Sequence, residues 1–204
     1  MTIRGLQTVY KKVLDGPWVT LGDDVQVYLE DGTLYVECSD GLSDWKHNFM
    51  FGITPYSNSN IKIRGHRGFM KLWLSIKKDI EAMDFDRVIA YSQGGGIAHY
   101  IHENYYHRKG VLCETWAFGS PNTFVNPCSE LRYRMQGFHH VINPFELVHM
   151  NPPGVLGYTR IGDEHVLRGT ARKPKDVPLW QWLSGHTPSE YMQRLATTKD
   201  AVLQ

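Results

Sequence analysis

Near the middle of the chain, one serine and a glutamine are followed by three glycines, in the stretch VIAYSQGGGIAHY that covers residues 88–100. The apolar run before Ser92 is typical of a buried strand, and the run after the glycines is typical of a helix. Small residues, Ala90 and Gly94, lie two positions before and two positions after the serine. This spacing is typical of a nucleophile elbow, in which a strained strand-to-helix turn displays a reactive hydroxyl. A purely structural turn is the alternative, whereas the lysine of a phosphate-binding P-loop and the spacing of a dinucleotide fingerprint are missing.

Acyl transfer by a serine needs a histidine base and a carboxylate that orients this base. The chain has ten histidines, and three that follow the serine are candidates for the base: His149, His165 and His186. His186 is the best placed of them, because it lies in a loop directly before a predicted C-terminal helix. The alternative for His186 is a role in capping that helix, for which Thr187 or Ser189 is better suited.

Two acidic positions compete for the role of the orienting carboxylate. Glu146 directly follows a predicted strand, and active-site groups gather at such strand ends. Its alternative is the solvated surface carboxylate that most Glu residues are. Asp163 has the commoner residue type for this role, but it lies in a Gly-containing turn, where Asp is favoured for its local hydrogen bonds. The sequence therefore favours Glu146 and leaves Asp163 as the alternative.

The elements that must position these residues predict an α/β fold. The stretch 26–38 alternates around Asp31 and Gly32, which predicts an N-terminal β-hairpin. Further strands are predicted over 87–91, 112–119 and 139–143, and helices over 68–83 and 97–106, whereas 41–67 is expected to be irregular. Because strand and helix alternate, we expect a central, mostly parallel sheet flanked by helices, with Ser92 at the carboxyl end of a strand. No repeat or linker divides the chain, so we expect one domain over residues 1–204.

Composition narrows the classes of function. The 204 residues carry a net charge of +1, which predicts no strong attraction to nucleic acid or to an anionic membrane. Three Cys without metal-type spacing indicate free thiols, and we expect no cofactor and no metal. No apolar run approaches ~20 residues, and the N-terminus lacks a signal-peptide pattern. We therefore expect no integral membrane segment and a cytoplasmic location, although a protein released by lysis would look the same. The oligomeric state stays open.

Four stretches, in this order along the chain, resemble the class 3 lipase family of fungal-lipase-like α/β hydrolases. They are AYSQGGGIA (90–98), AFGSP (117–121), VINPFELVHMNPPGVLGY (141–158) and GHTPSEY (185–191). The resemblance covers about residues 33–195 and implies an α/β-hydrolase fold. It also implies Ser92 as the nucleophile, Glu146 as the triad acid and His186 as the base. The sequence departs from the family pattern at Ala90, where the family usually has Gly, and at Glu146, where it usually has Asp.

The resemblance further implies an oxyanion hole and a lid. The backbone N–H of Gln93 would donate to the oxyanion, since elbow geometry provides that donor. Ser39 takes the place of the family's hydroxyl residue, and its alternative is a turn serine. The stretch 41–59 takes the place of the lid, with the aromatic residues Trp45, Phe49 and Phe51. The alternative is that these side chains pack onto the core.

The sequence therefore predicts a carboxylic ester hydrolase of the lipase or esterase type, acting through a Ser-His-Glu triad and an acyl-enzyme. The expected partner is an acyl ester or a lipid, with at most a transient contact to a lipid surface. Acyl length and headgroup stay open. Two alternatives are a phospholipase or other acyl hydrolase with the same triad, and an inactive hydrolase fold that serves as a binding module.

Overall fold

The computed structural model describes residues 1–38, 52–57, 59–144, 146–167 and 186–198. Within these residues the helices are α1 (Ile3–Asp15), α2 (Arg67–Ala82), α3 (Gln93–Lys109), α4 (Ser129–Arg134) and α5 (Pro188–Thr197). The strands are β1 (Val19–Leu21), β2 (Val25–Glu30), β3 (Thr33–Cys38), β4 (Ile53–Tyr56), β5 (Ile63–His66), β6 (Arg87–Tyr91), β7 (Glu114–Phe118), β8 (Phe124–Val125), β9 (Phe138–Ile142), β10 (Tyr158–Thr159) and β11 (Asp163–Val166). Short 3₁₀ helices cover Val148–Met150 and Gly154–Leu156.

The main sheet of the described residues has seven strands in the order β1-β2-β3-β6-β7-β9-β11. From β3 to β11 every neighbouring pair is parallel, whereas β1 and β2 join the sheet in antiparallel pairs. The predicted N-terminal hairpin is the β2–β3 pair. Its turn residues Asp31 and Gly32 both have positive φ, which suits the tight turn of a hairpin. The expected α/β-hydrolase arrangement, a mostly parallel sheet with an N-terminal hairpin, is confirmed.

Helices cover both faces of this sheet. Side chains alternate along β6, so Val88 and Ala90 face one layer and Ile89 and Tyr91 face the other. On the first face α2 and α3 contribute the buried side chains Phe69, Trp73, Ile97 and Ile101. On the second face α1 and α5 contribute Leu6, Tyr10, Tyr191 and Leu195. The carboxyl ends of β6, β7 and β9, and the residues that follow them, all lie at one edge of the sheet, because the three strands are parallel.

Three features differ from the expectations. The stretch 41–67 was expected to be irregular, yet it contains β4 and β5, which belong to a second, antiparallel sheet with the order β10-β8-β5-β4. Helix α3 begins at Gln93, four residues before the predicted start at Ile97, because the glycines form its first turn. Helix α1 was not predicted, although its buried residues Ile3, Leu6, Tyr10 and Val13 have helical spacing.

Candidate active site

Ser92 occupies the turn between β6 and α3, as the elbow motif predicts. Its φ of 54° and ψ of −126° lie in a region of backbone conformation that residues other than glycine rarely adopt. The backbone is held there by the sheet, since the Ser92 N–H donates to the Phe118 carbonyl at 2.9 Å. Local strain of this kind persists only where the surrounding structure fixes it, and it is common at functional sites. The turn therefore presents the Ser92 hydroxyl at the carboxyl edge of the sheet.

Gly94 allows the close approach of α3 to the neighbouring strand. A Cβ atom at this position would lie 2.4 Å from the Val36 carbonyl oxygen and 2.9 Å from the Glu37 Cα. Both contacts are with backbone, so no side-chain movement could relieve them. A larger residue two positions after the serine would therefore push α3 away from β3 and would distort the turn.

His186 places its imidazole against the serine. Its Nε2 atom lies 2.7 Å from Ser92 Oγ, and the residue is buried. His186 directly precedes the N-cap of α5, and this cap is Thr187, whose Oγ1 accepts from the Glu190 N–H at 3.4 Å. The capping role that competed for His186 is thus filled by Thr187, and the imidazole of His186 faces the serine instead.

Glu146 lies behind the imidazole. It follows the carboxyl end of β9 and is fully buried, and its Oε2 atom lies 3.2 Å from His186 Nδ1. The Tyr191 hydroxyl, on α5, donates to the same Oε2 atom at 2.7 Å. A buried carboxylate needs such partners, because burial of an unpaired charge is very unfavourable. Helix α5 therefore supports both the position of His186 and the environment of Glu146.

Gly119 makes room for this pair of side chains. It follows the end of β7 and has a φ of +57°. A Cβ atom there would lie 2.8 Å from His186 Cε1 and 2.9 Å from Glu146 Oε1. The absence of a side chain at residue 119 is thus a condition for the contact between His186 and Glu146. Neither Gly119 nor Tyr191 could be assigned a role from the sequence, although both lie in stretches that resemble the lipase family, AFGSP and GHTPSEY.

The second carboxylate oxygen of Glu146 faces another histidine. Within the described residues Glu146 Oε1 has no hydrogen-bond partner, and His149 Nδ1 lies 3.9 Å from it, beyond hydrogen-bonding distance. Burial, together with smaller contributions from the nearby groups Arg160 and His186, lowers the pKa of His149 to about 3. His149 is therefore neutral at ordinary pH and adds no positive charge beside Glu146.

The competing acid and the third candidate histidine lie elsewhere. Asp163 begins β11, so it lies at the amino end of the parallel strands, opposite to the edge that carries Ser92. Its carboxylate is 3.4 Å from His139 Nδ1, and 68% of its side chain is exposed. His165 Nε2 lies 3.2 Å from the same His139 nitrogen. The structure thus brings together Ser92, His186 and Glu146, and it keeps Asp163 and His165 apart from them.

Gln93 is the first residue of α3, and it is buried. Its N–H is one of the first four of the helix, which have no acceptor within the helix.

The other predicted site residues, Ser39, Trp45, Phe49 and Phe51, lie outside the described residues. In the part of the chain that the structure describes, no group of three or more His, Cys, Asp and Glu side chains could hold a metal ion. No described helix is both long enough and apolar enough to cross a membrane.

Solved fungal lipases share this fold. A lipase from Rhizopus microsporus var. chinensis is 22% identical with a TM-score of 0.58, over 76% of this chain and 63% of the lipase. Rhizomucor miehei lipase in its propeptide complex is 16% identical with a TM-score of 0.63, over 80% and 68%. A mono- and diacylglycerol lipase from Aspergillus oryzae is 18% identical with a TM-score of 0.55, over 73% and 58%.

These similarities define the class of fold. The chain has the α/β-hydrolase fold of fungal lipases, and it spans between 58% and 68% of the length of the three lipases compared. No protein-family model matches the sequence, and no curated protein matches it. At these low identities the similarity establishes a lipase-like hydrolase fold, and the activity has to be argued from the site.

Proposed function

We propose that the protein is a serine-dependent carboxylic ester hydrolase of the lipase or esterase type. The observation that carries this proposal is the continuous series of contacts from Ser92 Oγ to His186 Nε2, and from His186 Nδ1 to Glu146 Oε2. A nucleophile, a base and an orienting acid in hydrogen-bonding reach of one another are what acyl transfer requires. Their place at the carboxyl edge of a parallel sheet supports the same reading.

In the proposed reaction His186 Nε2 takes the proton from Ser92 Oγ as this oxygen attacks the ester carbonyl carbon. The tetrahedral intermediate collapses when His186 returns the proton to the leaving alcohol, which leaves an acyl group on Ser92. Water then attacks the acyl-enzyme, with His186 as the base again. Glu146 holds the imidazole with Nδ1 protonated, and its negative charge offsets the positive charge that forms on His186.

The oxyanion of the intermediate would be stabilised at the start of α3. The Gln93 N–H and the positive end of the helix dipole both favour negative charge at this point. Ser39 is proposed as the second donor because it takes the place of the hydroxyl residue of the lipase family that the sequence resembles. The proposed substrates are acyl esters, with lipids among them, as the fold shared with fungal lipases suggests.

A chain-length series of p-nitrophenyl esters tests the proposal. The purified protein should hydrolyse at least one of them, and Ser92→Ala should lower kcat by about 10⁴-fold or more. Ser120→Ala is a matched control, since Ser120 is also buried and follows the neighbouring strand, and its hydroxyl donates to the Pro121 carbonyl. Equal rates for the wild type and Ser92→Ala would overturn the proposal, as would the absence of turnover with every ester of the series.

A further inference from the structure

Tyr91, the residue directly before Ser92, contacts the histidine that faces the serine. It ends β6 and is buried. Its hydroxyl donates to the backbone carbonyl of His186. Its ring also stacks on the His186 imidazole, with centroids 5.1 Å apart and an angle of 12° between the planes. One side chain therefore contacts both the backbone and the ring of His186.

The Tyr91 ring is itself held by neighbouring rings. Tyr10 of α1 meets it edge-on at 5.7 Å, and Tyr191 of α5 does so at 6.0 Å. Burial raises the pKa of the Tyr91 hydroxyl, and the negative charge of Glu146 raises it further. The hydroxyl therefore stays protonated at ordinary pH and can donate to the His186 carbonyl.

We infer that Tyr91 is a positioning residue that holds the imidazole of His186 in the orientation in which it faces Ser92. The inference rests on the proposed ester hydrolysis. Because Tyr91 and Ser92 are adjacent, the hydroxyl ties the backbone of the base to the strand that carries the nucleophile. The stacked ring restricts rotation of the imidazole, so that Nε2 keeps facing Oγ.

The stacked ring also suits the charge that forms during the reaction. An aromatic face within about 6 Å attracts a cation, and His186 becomes an imidazolium as Ser92 attacks. The contact is therefore stronger in the transition state than before it, which is the condition for raising kcat rather than binding.

Two substitutions and a matched control separate positioning from ordinary packing. Tyr91→Phe keeps the ring and removes the hydroxyl, and Tyr91→Leu removes both. The control is Tyr28→Phe: Tyr28 is 6% exposed against 5% for Tyr91, its hydroxyl donates to the Lys12 carbonyl at 2.7 Å, and its ring stacks on Tyr35. Both Phe variants thus lose a tyrosine hydroxyl that donates to a backbone carbonyl, but only one of them changes the site.

We expect Tyr91→Phe to lower kcat about tenfold and Tyr91→Leu to lower it further, with KM changed by less than about twofold. Tyr28→Phe should lower the melting temperature to a similar degree and leave kcat within about twofold of the wild type. A wild-type kcat for Tyr91→Phe would overturn the inference. Equal losses of kcat in both Phe variants would overturn it too, since they would show a general effect of stability.

Hydrogen exchange of the amides of Thr187 and of residues 189–191 gives a second readout that needs no activity. Faster exchange in Tyr91→Phe, but not in Tyr28→Phe, is expected if the hydroxyl holds the backbone at His186. Unchanged exchange would overturn the inference. A wild-type protein that turns over no ester, but shows the exchange difference, would contradict the proposed function and leave the tether between Tyr91 and His186 supported. The two failures are therefore distinguishable.

Discussion

The Nε2 atom of His186 lies 2.7 Å from the Oγ atom of Ser92, although 94 residues separate the two in the sequence. They lie in different parts of the fold: Ser92 is in the turn between β6 and α3, and His186 directly precedes the N-cap of α5. Helix α5 is anchored on the sheet by the fully buried side chains of Tyr191 and Leu195. The distance between the proposed base and nucleophile is thus set by the packing of a C-terminal helix.

Glu146→Gln should lower kcat by about 10²–10⁴, because an amide can neither offset the imidazolium charge nor hold the productive tautomer. Asp163→Asn is the matched control, since Asp163 was the competing acid and lies at the other edge of the sheet. This control should change kcat by less than about twofold. Steady-state kinetics with melting temperatures checks both. If Asp163→Asn were the damaging change and Glu146→Gln were harmless, Asp163 would be the acid.

Gly119→Ala should abolish most of the activity, because the added Cβ would lie within 3 Å of both His186 and Glu146. Gly110→Ala is the control, because Gly110 also has a positive φ, of +69°, but a Cβ there meets nothing within 4 Å. Both substitutions should lower the free energy of unfolding by about 1–2 kcal/mol for the left-handed backbone. Only Gly119→Ala should lower kcat, by about 10²-fold or more. Similar kcat values in the two variants would show that the space beside Gly119 is unimportant.

The elbow and the alternation of strands and helices along the chain could be predicted because their signals are local. Ser92, the glycines after it and the apolar run before it lie within a few residues of one another. Glu146 and His186 could be proposed from their places after a strand and before a helix. Strands β4 and β5 could not be predicted in the same way, because ITPY and IRGH contain Pro or Gly and lack a β-strand pattern.

The contacts that hold the site together are not local in the sequence. Gly119 matters because of two side chains from distant elements, and nothing near residue 119 indicates them. Tyr191 lies five residues after His186, yet its hydrogen bond to Glu146 depends on how α5 packs. Helix α1 is a different case, since its apolar spacing was visible in the sequence. Its Tyr10 packs on Tyr91 and Tyr191, so it supports the site from behind.

Stability should fall as the solution becomes acidic, because several histidines are buried in neutral form. Burial lowers the pKa to about 4 for His66 and His102, and to about 3 for His99 and His149. In the unfolded chain these groups have a pKa of about 6.5. Between pH ~6.5 and ~4 the unfolded state therefore binds more protons, and the free energy of unfolding drops by up to ~1.4 kcal/mol per pH unit for each histidine.

Urea denaturation at several pH values from neutral to mildly acidic checks this prediction. Stability should be nearly constant above the pKa of the unfolded histidines and should decrease below it. His102→Gln should reduce the slope of the free energy of unfolding against pH by the contribution of one histidine, because His102 is fully buried. His107→Gln is the control with an exposed histidine of the same helix, and it should leave the slope unchanged. A stability that does not change across this range would contradict the prediction.

Covalent labelling of Ser92 by an alkyl fluorophosphonate tests the central claim most directly. This reagent reacts with a serine only where a base activates the hydroxyl, so the account predicts one adduct per chain, located on Ser92 by mass spectrometry. Ser92→Ala should take up no label, His186→Ala should react far more slowly, and Ser120→Ala should react like the wild type. An unlabelled wild-type protein, or a stable adduct on another residue, would contradict the account.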